Sequence, residues 1–267
     1  MREIYDETNQ KLAHLMQSDF YQGLKKILAQ KPAPTLRQIK EQLGNKIDKD
    51  LDFLIEKGIV KRQDRRYYLG MIEHPQIEES KKISQLTQVL LSQLKSKSQT
   101  ELALYLCNLL QKTSSETYLL ADEQMYAFYQ EIGNKRLKIA TIATEEWTQT
   151  LPSYFAYLQT EEKCAVFTEM ENLLGDVDPD YYLDQLFLLV EKRGEIPHKN
   201  NIFLTSLKLF DLVSTQARLT FKVPLIKASD LVKTVPEFAL NDFERHAVVG
   251  NILTALGYEQ LTLMILS

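Results

Sequence analysis

Lys61, Arg62, Arg65 and Arg66 fall within six residues, opposed only by Asp64, and Tyr67 and Tyr68 follow directly. Cations at this density can neutralise phosphates, and arginines can grip them bidentately or enter a narrow minor groove. The same run on a solvated strand pair would only protect an exposed edge from pairing with other strands. An acidic protein face is a third candidate partner. The acidic run GDVDPD, 175–180, places Asp176, Asp178 and Asp180 at the spacing of the first ligands of a calcium loop. The glycine such a loop needs sixth is Tyr181, and its twelfth-position Glu is Phe187, so the pattern fails. Asp178 reads better as a helix N-cap, with Pro179 in the first helical position and Asp180 in the first turn.

The remaining reactive residue types are scattered. His14, His74, His198 and His246 stand apart, and the chain contains no HExxH, GxSxG or CxxC motif and no glycine-rich phosphate loop. Cys107 and Cys164 each sit in an apolar helical context and read as small buried hydrophobes. The pairs Glu145-Glu146 and Glu161-Glu162 are adjacent in sequence, and adjacent helical residues do not face one another. No catalytic, cofactor or metal-ligand set is implied, and an enzyme is not expected.

The basic run needs elements to position it. Leu12, Leu15, Met16, Phe20, Leu24, Ile27 and Leu28 recur at helical spacing over residues 9–30, in one helix or two. Pro32 and Pro34 end that pattern. Thr35 with Gln38 makes a capping box for a second helix that stops at Gly44. Asn45, with Asp48 three residues on, is the expected cap of a third helix, whose Ile47, Leu51, Leu54 and Ile55 point inward. Gly58 closes it. Residues 59–62 and 66–69 are then β-prone and read as a hairpin, without the Asn-Gly turn that marks one most clearly.

This order of helix, helix, turn, helix and hairpin, with its tight Gly-Ile-Val-Lys-Arg junction, resembles the winged-helix superfamily over residues 9–70. The segment KIDKDLDFLIEKGIVKRQDRRYYL also resembles an uncharacterised family of streptococcal and enterococcal proteins with no assigned function. The first resemblance implies DNA binding through the third helix, lying in the major groove. The charges on that helix oppose this. Asp48, Asp52 and Glu56 recur every fourth residue and line up, Asp50 adds to them, and Lys46, Lys49 and Lys57 offset them in part. Duplex affinity leans on phosphate neutralisation, which an acidic row weakens. Nucleic-acid contact is therefore expected from the hairpin, through Lys61, Arg62, Arg65 and Arg66, with Lys46 and Lys49 in support.

The whole chain, 267 residues with 44% hydrophobic and 25% charged, has a net charge of −4. Through Gly70 there are 14 basic against 10 acidic residues, and beyond it 18 against 26. The positive segment thus coincides with the hairpin module, as an anionic partner would require. No apolar run reaches the ~18 residues of a membrane span, and the first residues lack a signal-peptide pattern, so a cytoplasmic protein is expected.

Beyond residue 70 a linker, 70–76, leads to helices over 77–95 and through Lys112, suited to packing on their own domain or to forming a homodimer. Residues 117–120 and 137–143 are β-prone and flank an expected helix, 122–132, capped by Asp122. Helices are expected near 161–174, over 181–192 and 201–213, and from Asn241 or Asp242. The apolar terminus LTLMILS must pack against a core or a second subunit. The reading is a mainly α protein: a winged helix, 1–72, of three helices plus a hairpin, then a larger, mostly helical domain, 73–267, with a few short strands and an optional division near 148. The expected function is a DNA-binding transcriptional regulator engaging double-stranded DNA. A protein-interaction or assembly factor that binds no DNA is the alternative.

Overall fold

A computed structural model describes residues 2–5, 9–74, 81–111, 117–120, 126–160, 164–192, 201–216, 218–229 and 239–267. The chain divides into two compact units, one of residues 1–79 with 114–123 and the other of residues 80–113 with 124–267.

In the first unit the long amphipathic pattern is broken at Ser18 into α1, Gln10–Gln17, and α2, Asp19–Leu28. The Ser18 hydroxyl donates to the Leu15 carbonyl at 2.6 Å and accepts from the Tyr21 amide, so one side chain ends a helix and begins the next. Helix α3, Leu36–Leu43, begins with the expected Thr35–Gln38 capping box and stops at Gly44, φ +93°. Helix α4, Asp48–Glu56, follows, but its cap is Ile47 with no side-chain bond. Asn45 therefore does not cap it, and Asp48 is the first helical residue instead of the third. Strands β2, Val60–Gln63, and β3, Arg66–Leu69, form the hairpin. Leu12, Met16, Tyr21, Leu24, Ile39 and Leu54 pack beneath these elements in one core.

The unit also contains a sheet that the local pattern does not announce. β1, Arg2–Ile4, pairs antiparallel with β5, Tyr118–Leu120, and β4, Ile72–His74, pairs parallel with that same strand. Glu3 fastens β1 to α2 by accepting from the Tyr21 hydroxyl at 3.1 Å and from Lys25 Nζ at 3.0 Å. Residues 72–74, expected within a linker, are thus a strand. The expected boundary at 72 cuts through β4, whose partner strand arrives from 118–120.

The second unit is built on a four-stranded sheet of order β10-β11-β7-β6, in which β6 is Phe128–Gly133, β7 Leu137–Ala143, β10 Leu225–Lys227 and β11 Gln260–Leu266. β11 runs antiparallel to β7 and parallel to β10. Residues 261–265 are all buried, because both faces of the sheet are covered. The cross-strand hydroxyls of Thr141 and Thr262 satisfy each other at 3.0 Å. Helices α5, Lys81–Leu94, and α6, Gln99–Leu110, pack with α11, Asp242–Leu256. α7, Leu151–Tyr157, and α9, Pro179–Glu191, pack on β6 and β7; α8, Thr168–Leu174, and α10, Ile202–Leu209, pack on each other. A two-stranded ribbon, β8, Val213–Ser214, and β9, Thr220–Phe221, completes it.

The expectation of a mainly α protein, a winged helix ahead of a mostly helical domain, is thereby corrected. The chain is mixed α/β, with a four-stranded sheet in one unit and a three-stranded sheet in the unit that holds the hairpin. The expected helix over 122–132 also fails, since 128–133 is β6, joined to β7 by a turn. There the Asn134 side-chain oxygen accepts from the Arg136 and Leu137 amides at 2.9 and 3.0 Å; residues 121–125, with the proposed Asp122 cap, lie outside the described residues. Short apolar runs fit helix or strand alike, and here tertiary pairing decided.

His246 on α11 stacks on Tyr126, ring centroids 4.9 Å apart, with its Nδ1 2.6 Å from the Ala127 carbonyl. Burial lowers its pKa from 6.5 to about 4, against the raising effect of the Ala127 bond. The folded state thus holds the neutral ring where the unfolded chain takes up a proton. Stability contributed by neutral His246 is complete above pH 6.5 and is lost as pH falls toward 4, by less than the ~3 kcal/mol of a fully dry site. Urea denaturation at pH 4.5 and 7.5 should show this loss in the wild type and a smaller one in His246→Gln.

Candidate nucleic-acid interface

The hairpin is placed by one close approach and one clamp. Gly58 ends α4 at φ +73°, and the Gly70 amide returns to the Ile59 carbonyl at 2.7 Å. A Cβ at position 70 would stand 2.3 Å from the Gly58 carbonyl oxygen, so only glycine lets β3 leave along this path. On the outer edge of β3 the Tyr67 amide donates to the Pro34 carbonyl at 3.0 Å, and Thr35 bridges to Arg66. The Arg66 guanidinium donates to the Ala33 carbonyl. The proline-containing segment thereby covers the edge that β3 would otherwise expose.

The turn consists of two residues, Asp64 and Arg65, with φ +52° and +63°. This is the left-handed pairing a tight hairpin needs, filled by side chains that favour it less than Asn-Gly does. Register then fixes which side chains share a face: Lys61 opposes Tyr68, Arg62 opposes Tyr67, and Gln63 opposes Arg66. Tyr67 is buried at 3% exposure, whereas Tyr68 is 40% exposed. Arg62 is exposed and sits with its guanidinium carbon 5.7 Å from the Tyr67 ring centroid, a cation–π arrangement that leaves its outer edge to solvent.

Of the six basic residues singled out from sequence, the hairpin brings together Lys61, Arg62 and Arg65, all exposed. Arg66 is half-buried and spends its guanidinium on Ala33, so it positions the hairpin. Lys46 and Lys49 are exposed but belong to the turn before α4 and to its first turn. Among the described residues, Lys61, Arg62 and Arg65 have no ion-pair partner, and Asp64 in the turn is the carboxylate that offsets them in part. The covering of β3 by residues 33–35 left no local signal in the sequence. The opposite fates of Tyr67 and Tyr68 follow from strand alternation, although the pattern alone does not say which faces inward.

Helix α4 keeps its acidic row exposed. Asp48 is paired with Lys40 at 2.7 Å and lies with Asp50 in the first turn, where the helix dipole favours negative charge. Glu56 reaches Lys57 only at 4.0 Å, and Asp52 has no ion pair among the described residues. Phe53, on the same helix, carries two cations, Lys11 and Lys57, at 3.9 and 5.6 Å from its ring centroid.

The other candidate chemistry resolves into structure. Asp178 accepts from the Tyr181 amide at 2.9 Å and caps α9, with Pro179 opening the helix. Tyr129 accepts from Gln111 Nε2 at 3.0 Å and donates to Glu131, which pairs with Lys138 at 2.8 Å. The neighbouring Cys107 thiol is pushed up by burial and is held protonated. Among the described residues no three of His, Cys, Asp and Glu cluster as a metal site would require. None of the described helices is long and apolar enough to cross a membrane.

A domain of unknown function (DUF1803) matches residues 2–105, a stretch that contains the hairpin and ends within α6. That match agrees with a resemblance to an uncharacterised family and carries no assigned activity. No curated protein and no solved structure matches the chain.

Two substitutions test this arrangement. Gly70→Ala should destabilise the protein by about 1–3 kcal/mol, because backbone must move to admit the methyl group. Arg65→Gly should stabilise it by about 1 kcal/mol by relieving a left-handed non-glycine residue. Thermal or urea unfolding measures both, and a shift in the reverse direction for either would mean the hairpin lies differently.

Proposed function

We propose that this protein binds DNA through the β2–β3 hairpin and acts as a regulator of transcription, with α4 kept out of the groove by its own charge. The observation that carries the reading is the group of exposed cations Lys61, Arg62 and Arg65 on a hairpin, none of them ion-paired among the described residues and only Asp64 opposing them there. A short turn and the contacts of residues 33–35 hold the hairpin in place. Ordered cations lose less entropy on meeting phosphate than cations on a mobile loop do. Each phosphate neutralised by Lys or Arg releases condensed counterions, which gives the interaction its salt dependence.

The alternative, a protein-assembly role without DNA, is favoured by one observation: the row of Asp52 and Glu56 beside Asp48 on the solvent side of α4. A basic partner surface would complement that row. α5 and α6 bury Ile83, Leu90, Leu102 and Leu106 within their own unit, so these faces already have a use besides a homodimer contact.

Fluorescence anisotropy with labelled DNA, titrated with salt, separates the two readings. The triple variant Lys61→Ala/Arg62→Ala/Arg65→Ala should weaken binding by at least about tenfold at low salt and flatten the log affinity against log salt slope by roughly 2–3 units. Asp52→Asn/Glu56→Gln should strengthen binding several-fold by removing repulsion. If the triple variant binds as the wild type does, the hairpin reading is lost; if the neutralised helix binds more weakly, α4 has a contact of its own.

A further inference from the structure

We infer that the hairpin takes a single strand in preference to duplex DNA, with Tyr68 as a stacking platform for one base and Lys61 and Arg65 gripping the adjoining phosphates. The inference rests on the reading of the hairpin as a DNA contact and specifies the form of DNA it fits.

Tyr68 is the first support. Its neighbour Tyr67 buries its ring at 3% exposure one residue earlier. Tyr68 instead stands at 40% exposure on the opposite face of β3. Directly across the strand pair lies Lys61, exposed and without an ion-pair partner among the described residues. Gln63 is exposed on the same face, and Arg65 stands exposed in the turn three residues before Tyr68. One face thus offers a flat ring, an amide that can both donate and accept, and the Lys61 cation, with the Arg65 cation at the turn beyond them. Base faces with phosphates alongside are what such a set complements.

Duplex DNA does not present that combination. Its bases are stacked on one another, so a ring can reach a base face only after the step is opened, whereas a single strand can splay a base onto the ring without that cost. The charge on the neighbouring helix acts in the same direction. α4 ends at Glu56, with Asp52 one turn earlier, and leads into β2 through the short link Lys57-Gly58-Ile59. Where a duplex overhangs the hairpin toward α4, its second phosphate chain meets this acidic row. A single strand following Lys61, Tyr68 and Arg65 need not.

The test uses the full chain and a labelled mixed-sequence oligonucleotide of about 16 nucleotides, the upper end of single-strand site sizes, as a single strand and as its duplex. Wild type should bind the single strand about tenfold more tightly. Tyr68→Ala should lower that affinity about tenfold and leave duplex affinity unchanged, while Tyr68→Phe, which keeps the ring, should retain it. Circular dichroism and the melting midpoint of each variant establish that the exposed site was changed without unfolding the hairpin. If Tyr68→Ala binds the single strand as wild type does while Lys61→Ala/Arg65→Ala loses binding, the stacking inference is overturned and the DNA reading stands. Tighter duplex binding by wild type likewise overturns the inference alone. If wild type binds neither form, both fall.

Discussion

The contact on which the hairpin's geometry depends is backbone against backbone, where Gly70 passes the Gly58 carbonyl with no room for a side chain. Two glycines with different duties meet there. Gly58 supplies the left-handed residue that ends α4, and Gly70 supplies the absent Cβ that lets β3 return beside it. The bond from the Gly70 amide to the Ile59 carbonyl closes the loop of chain between them. Everything the hairpin presents, including the outward direction of Lys61 and Tyr68, follows from this closure and from the register that the two-residue turn imposes. The clamp by Ala33, Pro34 and Thr35 then fixes the outer edge.

That arrangement divides the basic run by role. Four cations close together in sequence do not act as one patch once strand alternation and the Arg66–Ala33 bond are taken into account. Arg66 is a fastening, Arg62 lies over a buried ring with its outer edge to solvent, and Lys61 and Arg65 are exposed charges away from that ring. The acidic row on α4 is similarly divided: Asp48 is neutralised by Lys40, while Asp52 stands exposed with no ion pair among the described residues. Opposite signs on consecutive elements would orient an anionic polymer along the hairpin and away from the helix, which is the electrostatic core of the proposed function.

Local chemistry was legible in the sequence wherever a residue acts on its near neighbours. Thr35 with Gln38 and Asp178 with Pro179 open the helices expected of them, because a cap needs only the next three residues. Asn241, one of two residues expected to open the last long helix, caps it for the same reason. The hairpin was legible too, although its turn is Asp-Arg. Asn45 shows the limit of such reading, since a good capping residue lost its place to Ile47, whose side chain the core takes up. The sheets were the main loss. β1 pairs with a strand more than a hundred residues away, and β6 follows residues that suit a helix equally well. Of the candidate site, the charges and the tyrosines were visible, but the Ala33 contact that withdraws Arg66 joins residues 33 apart and leaves no periodic trace.

The central claim is that the hairpin, and not α4, meets DNA. The most direct measurement is amide chemical-shift mapping of the isotope-labelled full chain during titration with DNA. The largest shifts should fall between Val60 and Leu69, centred on Lys61, Arg65 and Tyr68. Shifts concentrated on Asp48 to Glu56, or absent from both segments, would contradict it.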